Sequence, residues 1–388
     1  MLRGLDLAPA GVPVHLRFDE SVPERFIDQV RQAWASMRPQ DTPASDSLDV
    51  PASVLVTAED TAKARARWGD AELVVVDASQ PPAAHERLTV EVTLKVLMAL
   101  AGQQSLFHAA ALGHPSSQEA MILVGPSGRG KTTAARFLGR HFSYLSDETA
   151  IVEQSGRIRP YPKPLSIIEE RGTPKAQHDP ADLGLNAVAP DDFGYTLRHV
   201  VLLDRRSEGE PAQPQLERVG IVDALIELVP QTSGLARTEA GMEKLIALVD
   251  SCGGAFRLSY TEIADTLPLM RALLAGELAP PAERSAVQCF PETPAGDVSS
   301  STRQGPDGQA WVGRMPGTSG YLAEDRMLLL HDSKLVEVSP FAADCWLTLE
   351  TPRPLAQLKA ELEASYGEIP DDAFANVIEQ LRMHQVLA

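Results

Sequence analysis

The sequence predicts an α/β protein that ends in a small α+β module, and three observations carry that expectation. Residues Gly125-Pro126-Ser127-Gly128-Arg129-Gly130-Lys131-Thr132 form a complete G-x-x-x-x-G-K-[ST] phosphate-binding loop directly behind the apolar run Met121–Val124. That order places the loop between a strand and a helix. Strand and helix patterns alternate from Ser105 to Gly276, as in a sheet covered by helices. Beyond a stretch rich in Pro, Ser, Gly and Thr at 280–309, strands come first and helices after, which describes a separate module.

Taken in chain order, residues 1–100 read as a small α/β lobe. Val14–Phe18 predicts a strand, Pro23–Met37 an amphipathic helix, Arg38–Asp49 a polar turn-rich stretch, and Ser53–Thr57 and Leu73–Val76 two further strands. A helix over Leu88–Leu100, with Val92, Val96, Leu97 and Leu100 at helical spacing, leads into residues 101–279 and is expected to pack with them as one body. Residues 101–279 form the nucleotide region. Its expected strands are Leu106–Leu112, Met121–Val124, Ala150–Glu153, His199–Asp204 and Ala255–Tyr260, and its helices Thr132–Phe142, Gly220–Leu228, Glu239–Val249 and Ile263–Leu274.

Residues 280–309 read as a linker. In 310–388, short strands are expected at Ala310–Arg314, Tyr321–Ala323, Met327–His331 and Leu335–Val338, then helices from Pro340, Leu355 and Asp372. The expected core there is Leu328, Leu330, Val336, Trp346, Leu358, Leu362, Phe374, Ile378 and Leu381.

Composition narrows the function classes. Among 388 residues the formal net charge is −18 and no Lys/Arg-dense run occurs, which argues against a nucleic-acid surface or an anionic membrane partner. Cys252, Cys289 and Cys345 are single and widely spaced, so they are expected to be buried thiols, with neither a disulfide framework nor a zinc site. Neither a secretory h-region nor a membrane-spanning apolar run is found, and a cytoplasmic protein is expected.

The loop prescribes its own chemistry. Gly125, Gly128 and Gly130 let the amides of Ser127, Arg129 and Gly130 curl round a β-phosphate; Lys131 reaches the β/γ oxygens, Thr132 can sit on Mg²⁺, and the helix opening at Thr133 aims its positive end at the anion. The expected nucleotide is ATP with Mg²⁺. A triphosphate site needs an acid near the metal, and a transferase needs a base for the acceptor. Asp147 and Glu148, in Ser146-Asp147-Glu148 behind Phe142–Leu145, supply two carboxylates, one for each task. His108 interrupts the apolar strand Phe107-His108-Ala109-Ala110.

Together, these residues resemble the HPr serine kinase/phosphorylase family and its kinase-like relatives, which run a His-containing strand, a P-loop and an Asp-Asp pair in this order. The resemblance covers roughly Ala101 to Tyr260 and implies the phosphoenolpyruvate-carboxykinase-like P-loop fold, with a mixed sheet in place of the doubly wound parallel one. It implies that Asp147 is the acid/base for the acceptor hydroxyl, that His108 supports its protonation state, that Lys131 serves the transferring phosphate, and that Glu148 helps bind the metal. Here the second acid is Glu where the family has Asp. Glu169-Glu170-Arg171-Gly172 is a partial echo of the family's Glu-Ile-Arg-Gly and places Glu169 beside the metal. Tyr161-Pro162-Lys163-Pro164-Leu165-Ser166 is similar to the relatives outside sugar regulation, and no basic docking surface for a phosphocarrier protein is discernible. HPr kinases are hexamers, so a homo-oligomer is within what the resemblance allows.

Residues 310–388 resemble the PqqD-like family, through Leu328-Leu329-Leu330, Leu335–Ser339, Ala342–Trp346, Leu355–Gly367 and the closing helix Asp372–Leu387. That family's winged-helix fold captures the leader of a ribosomally made precursor peptide by strand addition. The combined expectation is an ATP-dependent kinase that phosphorylates a Ser or Thr of a precursor peptide whose leader is held by 310–388. Two alternatives stay open: a regulatory HPr-type protein serine kinase, and a non-catalytic, nucleotide-dependent module that binds and presents peptides.

Overall fold

The computed structural model describes residues 2–45, 53–69, 72–77, 81–168, 174–206, 213–278, 285–294 and 309–388. The chain is an α/β protein that divides by its contacts into two units. The first holds Met1–Arg218 and Gln231–Ala282; the second holds Val219–Pro230 and Glu283–Ala388. Glu169 and its neighbours through Gly172 lie outside the described residues.

In the first unit a five-stranded sheet runs Gln40–Ser45, Leu2–Leu7, Val14–Phe18, Ser53–Thr57, Leu73–Val75. Two elements of this lobe depart from the sequence expectation. Gln40–Ser45 is an edge strand paired with Leu2–Leu7, where turn was expected; an edge strand needs only backbone partners, so its polar side chains gave no alternating signal. The helix Pro81–Leu100 begins well ahead of the expected Leu88. Its residues Leu88, Val92, Val96 and Leu100 join Phe18, Phe26, Val30 and Trp34 in one core, which also takes in Leu106, Ile151 and Tyr161 from beyond the helix. The segments before and after Leu100 therefore share a core.

The central sheet has seven strands in the order Asn186–Ala187, Ser143–Ser146, Ala109–Gly113, Glu119–Val124, Thr196–Arg205, Ala255–Tyr260, Gln215–Val219. Its directions are mixed. Ala109–Gly113 is antiparallel to both neighbours, while Glu119–Val124, Thr196–Arg205 and Ala255–Tyr260 run parallel. The expected single strand Leu106–Leu112 is two strands: Ser105–Phe107 pairs with Ala150–Val152 and with Thr232–Ser233 in a second sheet, and Ala109–Gly113 enters the central one. His108 is the residue at the crossing, its N–H bonded to the Gln231 carbonyl at 2.7 Å.

In the second unit Gln288–Phe290, Thr318–Ala323, Arg326–His331 and Lys334–Val338 form an antiparallel sheet in that order. The helices Pro340–Thr348, Leu355–Tyr366 and Asp371–Met383 follow it. Part of the expected linker is thus a strand, Gln288–Phe290, and it carries Cys289 exposed, while Cys252 and Cys345 are buried. Met327 and Leu329, not Leu328 and Leu330, join the cluster around Trp346, Leu358, Phe374, Ile378 and Leu381; Leu328 and Leu330 are buried on the other face of the strand. Both faces of this strand are covered, so apolar content could not tell one from the other.

The helix Ile221–Leu228, expected with the nucleotide region, belongs to the second unit. Glu324 caps it by accepting the Ile221 N–H at 2.9 Å, and Arg326 bridges Asp223 at 2.8 Å and Glu337 at 2.7 Å. Among the described residues no helix is long and apolar enough to cross a membrane.

Candidate functional site

The loop Gly125–Thr132 leaves the buried strand end at Val124 and turns back through Gly128 (φ +83°) and Gly130 (φ +89°), conformations that disfavour any residue with a Cβ. Gly130 then caps the helix Lys131–Leu138. Lys131 is buried, with its ammonium donating to the Gly125 carbonyl at 2.5 Å and lying 3.3 Å from that of Pro126. Burial pushes its pKa down, against the nearby Glu148 charge. Ser127 and Arg129 stand exposed on the loop, and Tyr260 donates its hydroxyl to the Arg129 carbonyl at 3.4 Å. Thr132 and Thr133 are exposed at the start of the helix.

The carboxylate pair follows the buried strand Ser143–Ser146. Ser146 Oγ accepts the Thr149 N–H at 3.1 Å, which holds the two acids in a tight turn. Asp147 is only 3% exposed, whereas the Glu148 side chain is half exposed. Between them lies Lys163, itself 2% exposed, with Nζ 3.5 Å from Asp147 Oδ1 and 3.0 Å from Glu148 Oε2. Asp147 Oδ1 is sealed from solvent, and the Lys163 ammonium 3.5 Å away is its counter-charge.

The electrostatics follow from that arrangement. Burial raises the Asp147 pKa, Lys163 pulls it down, and Glu148 adds to the rise, with a net increase over its ordinary value. For the more open Glu148 the Lys163 charge outweighs burial and the pKa falls. Burial alone would lower Lys163, but the two carboxylates overcome it and keep the ammonium charged above its ordinary range. Burial, then the Lys131 charge, hold His108 below its usual value against Glu148 and Asp147.

One cavity of about 360 Å³ brings these groups together. His108, Thr132, Asp147, Glu148, Lys163 and Lys175 line it. The crossing between the two sheets at His108 thus sets the imidazole beside the acids. Of the expected site residues, His108, Thr132, Asp147 and Glu148 share this cavity; Lys131 stands next to it, within electrostatic reach of His108 and Glu148. Ser127, Gly128, Arg129, Gly130 and Thr133 belong to the loop and helix start.

The sequence alone does not show that Lys163 lines the cavity. Lys163 had a local signal, a lysine between two prolines (Pro162 and Pro164), but nothing local points to its partners. Its segment is tied to the acid strand by the Tyr161 N–H, which donates to the Leu145 carbonyl at 2.8 Å. Asp204 ends the apolar run Val200–Leu203 on the strand beside and parallel to that of the loop, and it accepts the Ser259 hydroxyl at 3.1 Å.

No protein-family model matches the chain, and no curated protein matches it. A solved structure, the Hpr(Ser) kinase/phosphatase from Coxiella burnetii, is similar over 44% of this chain and 95% of its own, at 10% identity and a TM-score of 0.22.

Proposed function

We propose that this chain is an ATP-dependent kinase that transfers a phosphoryl group to a Ser or Thr hydroxyl of a precursor peptide whose leader is held by residues 310–388. The observation that carries the reading is the single cavity in which the helix start at Thr132, the His108 imidazole and the Asp147–Lys163–Glu148 cluster meet. The residues fit a nucleotide with its metal. Gly128 and Gly130 hold the left-handed turns that a phosphate-cradling loop uses, and Lys131 needs only to leave its two loop carbonyls to reach a phosphate. Thr132 and Glu148 would hold Mg²⁺, which takes few protein ligands and completes its shell with phosphate and water. When bound, the metal and nucleotide supply charge neutralisation and the phosphoryl group.

The chain's own work is positioning and proton management. Asp147, buried beside Lys163, would accept the proton of the acceptor hydroxyl as the oxygen–phosphorus bond forms and the bridge to the β-phosphate breaks. Lys163 keeps Asp147 in place and moderates its basicity. His108, held neutral near pH 7 by burial and by Lys131, contributes a hydrogen-bonding group without adding charge. In the second unit Lys334–Val338 is an outer strand of its sheet. The two-residue turn Asp332-Ser333 makes His331 and Lys334 a hydrogen-bonded pair, so by alternation Leu335 and Glu337 turn their backbone groups outward, where a leader could add as a strand.

Asp147→Asn tests the reading. ATP affinity should stay within about tenfold of the parent while phosphopeptide formation falls by about 10²-fold or more. Loss of nucleotide binding to the same extent would make Asp147 a metal ligand and remove the general-base role.

A further inference from the structure

The helix Pro81–Leu100 is apolar on two sides. One side packs into the lobe core through Leu88, Val92, Val96 and Leu100. On the other, Val90, Leu94 and Met98 are 54%, 48% and 61% exposed, and their spacing of four residues makes them a continuous stripe. An exposed apolar stripe of this kind marks a contact surface. Val90, Leu94 and the half-buried Leu97 also line the cavity that holds His108, Thr132, Asp147 and Glu148.

We propose that this stripe seats the acceptor: an extended peptide segment with apolar side chains at alternate positions beside the Ser or Thr that receives the phosphoryl group. The inference rests on the kinase reading above and adds a substrate class to it. Four residues of helix rise about 6 Å and two residues of strand about 6.7 Å. Alternate side chains of an extended segment therefore meet Val90, Leu94 and Met98 in turn. Continuity favours this occupant over a second copy of the chain: the stripe opens into the Asp147 cavity, so a segment lying on it brings its own hydroxyl to the carboxylate.

The test uses the full chain with Mg²⁺ and ATP and two synthetic serine peptides of equal length and charge. One carries Leu and the other Gln at the alternate flanking positions. The Leu peptide should be phosphorylated with a kcat/KM about tenfold higher or more, and both Leu94→Glu and Met98→Glu should erase that preference, mainly through KM. Equal kcat/KM on the two peptides, or a preference that survives both substitutions, overturns the seat and leaves the kinase reading intact. Fluorescence anisotropy of the labelled Leu peptide distinguishes the opposite failure: binding that Leu94→Glu abolishes, with no phosphoryl transfer by the parent chain, refutes the kinase and keeps the seat. Sedimentation supplies the remaining arm. A parent oligomer that Leu94→Glu converts to monomer, with the peptide preference unchanged, assigns the stripe to self-association and overturns the proposal.

Discussion

Replacing Lys163 by Met removes one charge from the centre of the site while keeping a side chain of similar length. At 3.5 Å from Asp147 Oδ1, and with an effective dielectric of about 20, the lost attraction is about 5 kcal/mol. That sets a ceiling of about 3.5 pH units on the further rise of the Asp147 pKa. Breaking a buried ion pair by removing one member costs about 3–5 kcal/mol, so the two routes agree. The pH dependence has a definite sign. Asp147 already titrates above its ordinary 3.8; in the variant its folded-state pKa rises further, so stability is greatest below about 3.8 and is lost as pH climbs through the new value. In the parent, Lys163 is held above 10.5 and contributes fully below that pH. The melting-temperature deficit of Lys163→Met should therefore be small at pH 4 and grow toward pH 8, as read by circular dichroism. If Asp147 is the base, the acid limb of kcat/KM should also move to higher pH. A variant that melts with the parent at pH 8 and keeps the parent's acid limb would refute the account of Asp147 and Lys163 as one electrostatic unit.

Other parts of the molecule give further expected outcomes. Lys131→Ala should lower ATP turnover by about 10²–10³-fold, because a preorganised buried charge at a phosphate is not replaced by water; a coupled hydrolysis assay measures it, and full activity removes Lys131 from the site. Leu335→Pro should raise the KM for a leader-bearing peptide while sparing the melting temperature, since its N–H faces outward, whereas Val336→Pro should melt the second unit by breaking its pairing with Leu329. Trp346→Ala should destabilise the second unit by about 3–5 kcal/mol, seen as an earlier calorimetric transition, because Trp346 is fully buried and its ring lies 3.7 Å beneath the Arg314 guanidinium.

The sequence by itself determined the α/β class, the strand–loop–helix unit at Gly125–Thr132, the acidic turn at Asp147-Glu148 and the starts of the helices at Pro340 and Leu355. Each depends on residues within a few positions of one another, where periodicity, glycine conformation and caps report directly on the backbone. Tertiary structure alone decided the rest. The apolar run around His108 reads as one strand, yet its two halves join different sheets, because strand partners are chosen across the chain. The prolines on either side mark Lys163 locally without naming its partners; its meaning comes from two carboxylates on another segment and from the burial that makes them need a counter-charge. The helix Ile221–Leu228 has the same local pattern wherever it packs, and Glu324 and Arg326, about a hundred residues later, tie it to the second unit. Met327 and Leu329 were separated from Leu328 and Leu330 only by which face met the helices. Sequence patterns record the conformation and burial of a segment, whereas the identity of its neighbour is a long-range contact that no local pattern contains.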